Sequence, residues 1–124
     1  MTDTNEIDTQ TKLDLIVESI KEKKGKQITR IDLTKIHNSI CDHFVICHGT
    51  STTQVDAIAD AVQAKLKKEA GILAHHVEGA TNSRWILVDY YDVLVHIFLD
   101  EVRTFYKLEE LWADGEIDVV EEEH

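Results

Sequence analysis

The sequence predicts an α/β fold: one domain, with a mixed β-sheet of about five strands and flanking helices in the order αββαβββα. Three observations predict it. Leu13-Ile16-Val17-Ile20 and Val55-Ile58-Ala59-Val62-Leu66 place apolar residues at helical spacing. Phe44 to Cys47, Trp85 to Val88 and Val93 to Phe98 are β-branched and aromatic runs of strand length. Asp89-Tyr90-Tyr91-Asp92 separates the last two at hairpin spacing.

The elements follow in order. Residues 1–10 are polar and are expected to be a flexible N-terminus. The first helix carries Lys21, Lys23 and Lys24 in its last turn, where they complement the helix dipole, and Gly25 is expected to stop it. Ile28 to Leu33 reads as a strand, a loop runs from Thr34 to Asp42, and Phe44 opens a more buried strand. Ser51-Thr52-Thr53-Gln54 fits a capping box at the start of the second helix, and Gly71 ends that helix. A third strand is expected to begin at Ile72-Leu73 and to close at Val77, before the polar loop that Glu78-Gly79 opens. The two hairpin runs are apolar at nearly every position, which predicts strands covered on both faces at the centre of the sheet. Beyond Asp100, Val102, Phe105, Leu108 and Trp112 predict one or two short helices, and residues 114–124 read as a loose acidic tail.

Composition excludes several classes. A chain of 124 residues accommodates one domain with a modest core. No apolar run approaches the ~20 residues of a membrane helix. Met1 to Glu6 is acidic and lacks an apolar core, which argues against a secretory or transit signal, and two cysteines suit a reducing compartment, so a cytoplasmic location is expected. The formal net charge is −11, from 24 acidic against 13 basic residues, which disfavours attraction to phosphate backbones. A basic protein surface is the better partner, with little direct nucleic-acid contact.

Candidate chemistry is sparse. Cys47-His48 and His75-His76 are adjacent on strands, so their side chains point to opposite faces and neither pair chelates one metal. No metal and no cofactor is expected, and His96 reads as a hydrogen-bonded histidine of a buried strand. Gly49-Thr50-Ser51 lies between a strand and a helix, where amides can cradle a phosphate. A nucleotidyl-transferring enzyme would need Ser51, Asp89 and Asp92 together, but the two aspartates flank a turn and lack paired spacing on one strand face. Ser51 reads better as a helix cap. Trp85 follows a polar loop and fits either core or interface.

Val77-Glu78-Gly79, Trp85, Asp89, Asp92 and Val95-His96-Ile97-Phe98, in that spacing, resemble the ribosomal silencing factor family, also called Iojap-like. Ile31-Asp32-Leu33, Cys41 to Ser51 and Glu101 to Trp112 extend the likeness, which runs roughly from Leu13 to Trp112 and implies a domain over residues 11–113. The resemblance implies a nucleotidyltransferase-like fold without enzymatic activity. It implies a repressor that binds the large ribosomal subunit through ribosomal protein L-fourteen and blocks joining of the small subunit when nutrients are limiting. The expected partner-binding residues are Glu78, Gly79, Trp85, Asp89, Tyr90 and Asp92: Trp85 as the apolar anchor, the three acids toward basic side chains, and Gly79 for close backbone approach. A homodimer is also compatible with the resemblance. The family usually has Gly where this chain has Tyr91. A tyrosine in the left-handed region costs about 1–2 kcal/mol, so a rebuilt turn is expected there.

Overall fold

The computed structural model describes residues 8–36, 41–106 and 116–119. Its elements in chain order are α1 (Thr9–Glu22), β1 (Lys26–Asp32), β2 (His43–Gly49), α2 (Thr52–Ala70), β3 (His76–Glu78), β4 (Trp85–Asp89), β5 (Val93–Leu99), α3 (Asp100–Tyr106) and β6 (Glu116–Val119). They build one six-stranded mixed sheet in the order β3-β4-β5-β2-β1-β6.

The expected mixed α/β sheet with flanking helices is present, with two corrections to its edges. Glu116–Val119, expected in the loose tail, pairs antiparallel with β1 from Thr29↔Val119 to Asp32↔Glu116. Its Glu-Ile-Asp-Val alternation is a strand period set inside an acidic run. Ile72 and Leu73 stand outside β3. Gly71 is left-handed at φ 67° and its cap N–H groups close on the last turn. Ile72 N–H then bonds the Leu66 carbonyl at 3.1 Å, which makes Ile72 part of the helix cap. Leu108 and Trp112, expected on a closing helix, lie outside the described residues.

β2 and β5 form the only parallel pair among the described strands, in register from His43↔Val93 to Gly49↔Leu99, and they sit at the centre of the sheet. Six consecutive residues of β5, Val93 to Phe98, are buried on alternating faces. The parallel direction requires a crossover, which α2 provides before the chain returns through β3 and β4. On one face Leu13, Ile16 and Ile20 of α1 and Val55, Ile58, Val62 and Leu66 of α2 meet Val45, Ile86, Val88, Val95 and Ile97. On the other face Phe44, Ile46, Leu94 and Phe98 pack with Ile31, Leu33 and Val102 of α3.

Arg103 fastens α3 to the far side of the sheet. The register of β1 against β2 shifts between Lys26 and Thr29, where Gln27 has φ 48°. The buried guanidinium donates to the Gln27 carbonyl at 2.8 Å, to Thr29 Oγ1 at 3.1 Å and to His48 Nδ1 at 3.1 Å. It so satisfies carbonyl groups that the irregular strand turns inward.

Two expected stops work differently from their sequence reading. Lys24, not Gly25, takes the left-handed position after α1, at φ 62°. Gly25 is required by space instead, because a Cβ there would run into Ile20 Cγ2. Ser51 caps α2 as expected, accepting the Gln54 N–H at 3.1 Å. Gln54 reaches one residue further back than a capping box requires. Its Oε1 accepts the Thr50 N–H at 2.8 Å, and its Nε2 donates to the Lys23 and Lys24 carbonyls at 3.1 and 3.0 Å. One side chain thus satisfies the start of α2 and the end of α1.

Ser51→Ala is expected to cost about 0.5–2 kcal/mol in urea unfolding. Gln54→Ala should cost at least as much, since it frees groups at two helix ends. A Gln54→Ala protein as stable as the parent would contradict the joint.

Candidate functional site

The face of β4 turned away from α1 and α2 is the candidate site. Successive strand residues alternate faces. On β4 Ile86 and Val88 are buried under the helices, while Trp85, Leu87 and Asp89 turn to the other side and are only half-buried. Across the sheet Leu87 is flanked by Glu78 of β3 and His96 of β5.

Trp85 is anchored from within. Its Nε1–H donates to His96 Nδ1 at 3.2 Å, and its ring lies 4.8 Å from Phe98. His96 in turn meets Phe44 edge-on at 4.6 Å. The indole therefore has one side in the second core and one side in solvent. Because His96 Nδ1 accepts, its ring proton belongs on Nε2 when neutral. His96 is a buried structural residue, as its strand position predicts.

The acids beside Trp85 divide by face. Glu78 is exposed and its Oε1 pairs with His76 Nε2 at 2.8 Å. Asp89 Oδ1 accepts the Tyr91 N–H at 2.7 Å, an Asx turn that supports the hairpin. Tyr91 keeps the left-handed conformation at φ 70°, so the expected rebuilding of the turn does not occur. Its ring stacks on His75 with centroids 4.2 Å apart.

Three members of the expected set have internal roles. Asp92 Oδ1 binds Lys12 Nζ at 2.7 Å and Oδ2 accepts from Thr9 at 2.7 Å, which ties the hairpin to the start of α1. Partial burial opposes its ionisation, but the bonds from Lys12 and Thr9 and the lysine charge outweigh it and hold the carboxyl below its ordinary range. Tyr90 is 2% exposed in the core under α1 and α2. Burial pushes its phenol up to about 12, and its hydroxyl has no hydrogen-bond partner among the described residues. Gly79 has φ 87°, and a Cβ would collide with the Trp85 carbonyl. Its close approach is made within the chain, where it lets the end of β3 lie against the Trp85 backbone. Sequence spacing could not reveal Lys12 as the partner of Asp92, because 80 positions separate them. Leu87 was legible only as a strand residue until its face was known.

The residues a transferase would need do not converge. Ser51 follows the Gly49 end of β2, whereas Asp89 and Asp92 flank the hairpin beside its His43 end. Seven-residue strands put about 20 Å between these ends. Among the described residues no group of three His, Cys, Asp or Glu is placed to hold a metal, and no helix is long and apolar enough to cross a membrane. Burial raises the thiols of Cys41 and Cys47 to about 11 and about 12, so neither is an activated nucleophile.

Asp92→Asn is expected to cost about 1–2 kcal/mol at pH 7. The folded carboxyl titrates below its unfolded value, so the contribution is complete above about pH 4 and is lost as pH falls through the folded value. Urea titrations from pH 7 to 3 should show the parent and the variant converging in acid; a constant gap would contradict the Lys12 pairing. Tyr90→Phe removes a buried hydroxyl and should leave stability unchanged or raise it by up to ~1 kcal/mol. A clear loss in thermal unfolding would place a partner on that hydroxyl.

Known proteins resemble this chain in sequence and fold. The family model "Ribosomal silencing factor during starvation" matches residues 6–124. The ribosomal silencing factor of Halalkalibacterium halodurans is 41% identical over 106 residues, covering 86% of this chain and 89% of that protein. A crystal structure of a protein from Chromobacterium violaceum superposes with a TM-score of 0.81 at 38% identity, over 86% of this chain and 88% of the other. Another, from Bacillus halodurans, gives 0.76 at 37% identity, over 91% and 99%. With the family match spanning nearly the whole chain and the same fold in both solved structures, the chain belongs to the ribosomal silencing factor family.

Proposed function

We propose that this protein represses translation in the cytoplasm by occupying the large ribosomal subunit where the small subunit joins, docked on ribosomal protein L-fourteen. The observation that carries this reading is Trp85. It is a half-exposed indole locked by His96 and Phe98, and it shares the open side of β4 and β3 with Leu87, Asp89 and exposed Glu78.

The physical case is one of pre-organisation. A tryptophan already held in its rotamer loses little freedom on binding, and large aromatic anchors dominate interface energies. Glu78, and the Asp89 oxygen not used by Tyr91, offer acceptors to Lys or Arg of a basic protein. The net charge of −11 makes such a surface a better match than rRNA. Asp92 and Tyr90 serve this surface by holding the hairpin in place, and Gly79 by seating β3 beside Trp85. Blocking subunit joining by occupancy needs no bond-making step.

Trp85→Ala should weaken binding to purified large subunits at least ~30-fold, the equivalent of about 2 kcal/mol. Because the indole also packs on Phe98, binding is to be compared well below the melting temperature of each protein. Glu78→Lys should slow association and flatten its salt dependence more than it speeds dissociation. Unchanged subunit affinity in a folded Trp85→Ala protein would overturn the reading.

A further inference from the structure

We propose that the turn joining α1 to β1 is a contact for an RNA backbone, with Lys21, Lys23, Lys24 and Lys26 meeting its phosphates. The surface is separate from the Trp85 anchor, and only the choice of RNA as the polyanion rests on the ribosomal reading.

The net charge of −11 is a sum over the chain, and this turn departs from it. Residues 21–26 read Lys-Glu-Lys-Lys-Gly-Lys, four cations to one anion. That anion is already engaged. Glu22 Oε2 binds Lys65 Nζ of α2 at 2.6 Å, and the same ammonium holds Glu18 at 2.9 Å. The four lysines of the turn form no ion pair among the described residues, and Lys23, Lys24 and Lys26 are exposed. At about 0.1 M salt, charges more than ~10 Å away are largely screened. Distant acids then weigh little against ammonium groups in direct contact.

The backbone of the turn is fixed before any ligand arrives. The Lys23 and Lys24 N–H groups bond the Ile20 and Lys21 carbonyls at 3.2 and 3.0 Å. Gln54 Nε2 closes the other side on the Lys23 and Lys24 carbonyls. Lys24 is left-handed at φ 62°, a position that favours glycine, and Gln27 just beyond is at 48°. A lysine held there against backbone preference sets an ammonium group on the turn at some loss of stability, the kind of strain that gathers at functional sites.

The chemistry of the patch favours phosphate over protein. Lysine is depleted in protein–protein interfaces, which centre on apolar and aromatic anchors. The exposed large hydrophobic residues among the described residues, Leu73 and Tyr91, lie outside this turn. Phosphate oxygens are met by lysine whatever the base, so the contact carries no sequence preference. Lys21, Lys23 and Lys24 belong to the helix layer, across the sheet from Trp85, so both surfaces can be occupied together.

Fluorescence anisotropy of a labelled oligouridylate with the full chain, in salt from ~50 to ~200 mM, tests this. Binding should weaken as salt rises. Lys24→Gly should weaken it at least ~3-fold and reduce the slope of log affinity on log salt by about 0.7, the contribution of one phosphate on a single strand. Its melting temperature should hold or rise, because glycine suits the left-handed position. A Lys23→Gln, Lys26→Gln double variant should lose at least ~10-fold. Lys67→Gln removes one charge about 20 Å along α2 from Gln54 and should bind like the parent. A parent that does not bind at ~50 mM salt overturns the proposal. So does a Lys67→Gln protein as weak as Lys24→Gly, which would leave net charge as the only cause. Polyglutamate bound as tightly as oligouridylate would make the partner an acidic protein, and tighter binding of oligothymidylate would make it DNA; either result overturns the assignment to RNA. None of these measurements involves the large subunit, so the Trp85 reading stands or falls apart from them.

Discussion

The parallel pairing of β2 with β5 is the constraint on which the rest depends. A parallel pair cannot be closed by a tight turn, and it lies between neighbours that hide both of its faces. His43↔Val93 through Gly49↔Leu99 are in register without interruption. Both strands carry buried side chains on alternate positions facing opposite ways. Each face therefore needs its own cover. The crossover through α2 supplies one, with α1 laid beside it. Phe44, Phe98 and the helix that Arg103 fastens supply the other.

That cover runs out toward β4 and β3, and the candidate site lies there. Two helices protect one face of β4, while the other carries Trp85, Leu87 and Asp89 only half-buried. The alternation of strand side chains then sorts the polar residues of the hairpin. Glu78 and Asp89 stay with Trp85. Tyr90 falls under the helices, and Asp92 is drawn to Lys12 and Thr9 of α1. Residues that crowd into one short stretch of sequence thus end on two sides of a sheet, some making a surface and others holding it still. Such a division suits recognition, in which a rigid anchor matters more than convergence of reactive groups.

Backbone conformation carries part of the same task. Tyr91 occupies a left-handed position at φ 70°, where glycine is favoured, and is compensated locally by the Asp89 carboxylate on its N–H and the His75 ring on its own. Gly79 is the opposite case. Its φ of 87°, and the Trp85 carbonyl standing where a Cβ would go, admit no side chain. One site tolerates a poorly suited residue because neighbours were available to offset the strain, and the other cannot because the neighbour is backbone.

The sequence by itself determined the helices, the central strands, the Ser51 cap and the family. Helical and strand periodicity, turn residues and cap hydroxyls act over a few positions, and each leaves a local trace. It also marked the stretch from Glu78 to Asp92 as the candidate site. What it could not determine was direction and partnership. Asp92 reads as a surface acid until α1, 80 residues away, brings Lys12 to it. Tyr90 reads as a hairpin residue until the register of β4 against β5 turns it inward. Glu116–Val119 reads as tail until the edge of β1 offers it hydrogen bonds. Gln54 reads as a local cap until the end of α1 arrives beside it. In each case the deciding free energy comes from groups distant in sequence, and only the closed sheet with its packed helices sets them face to face.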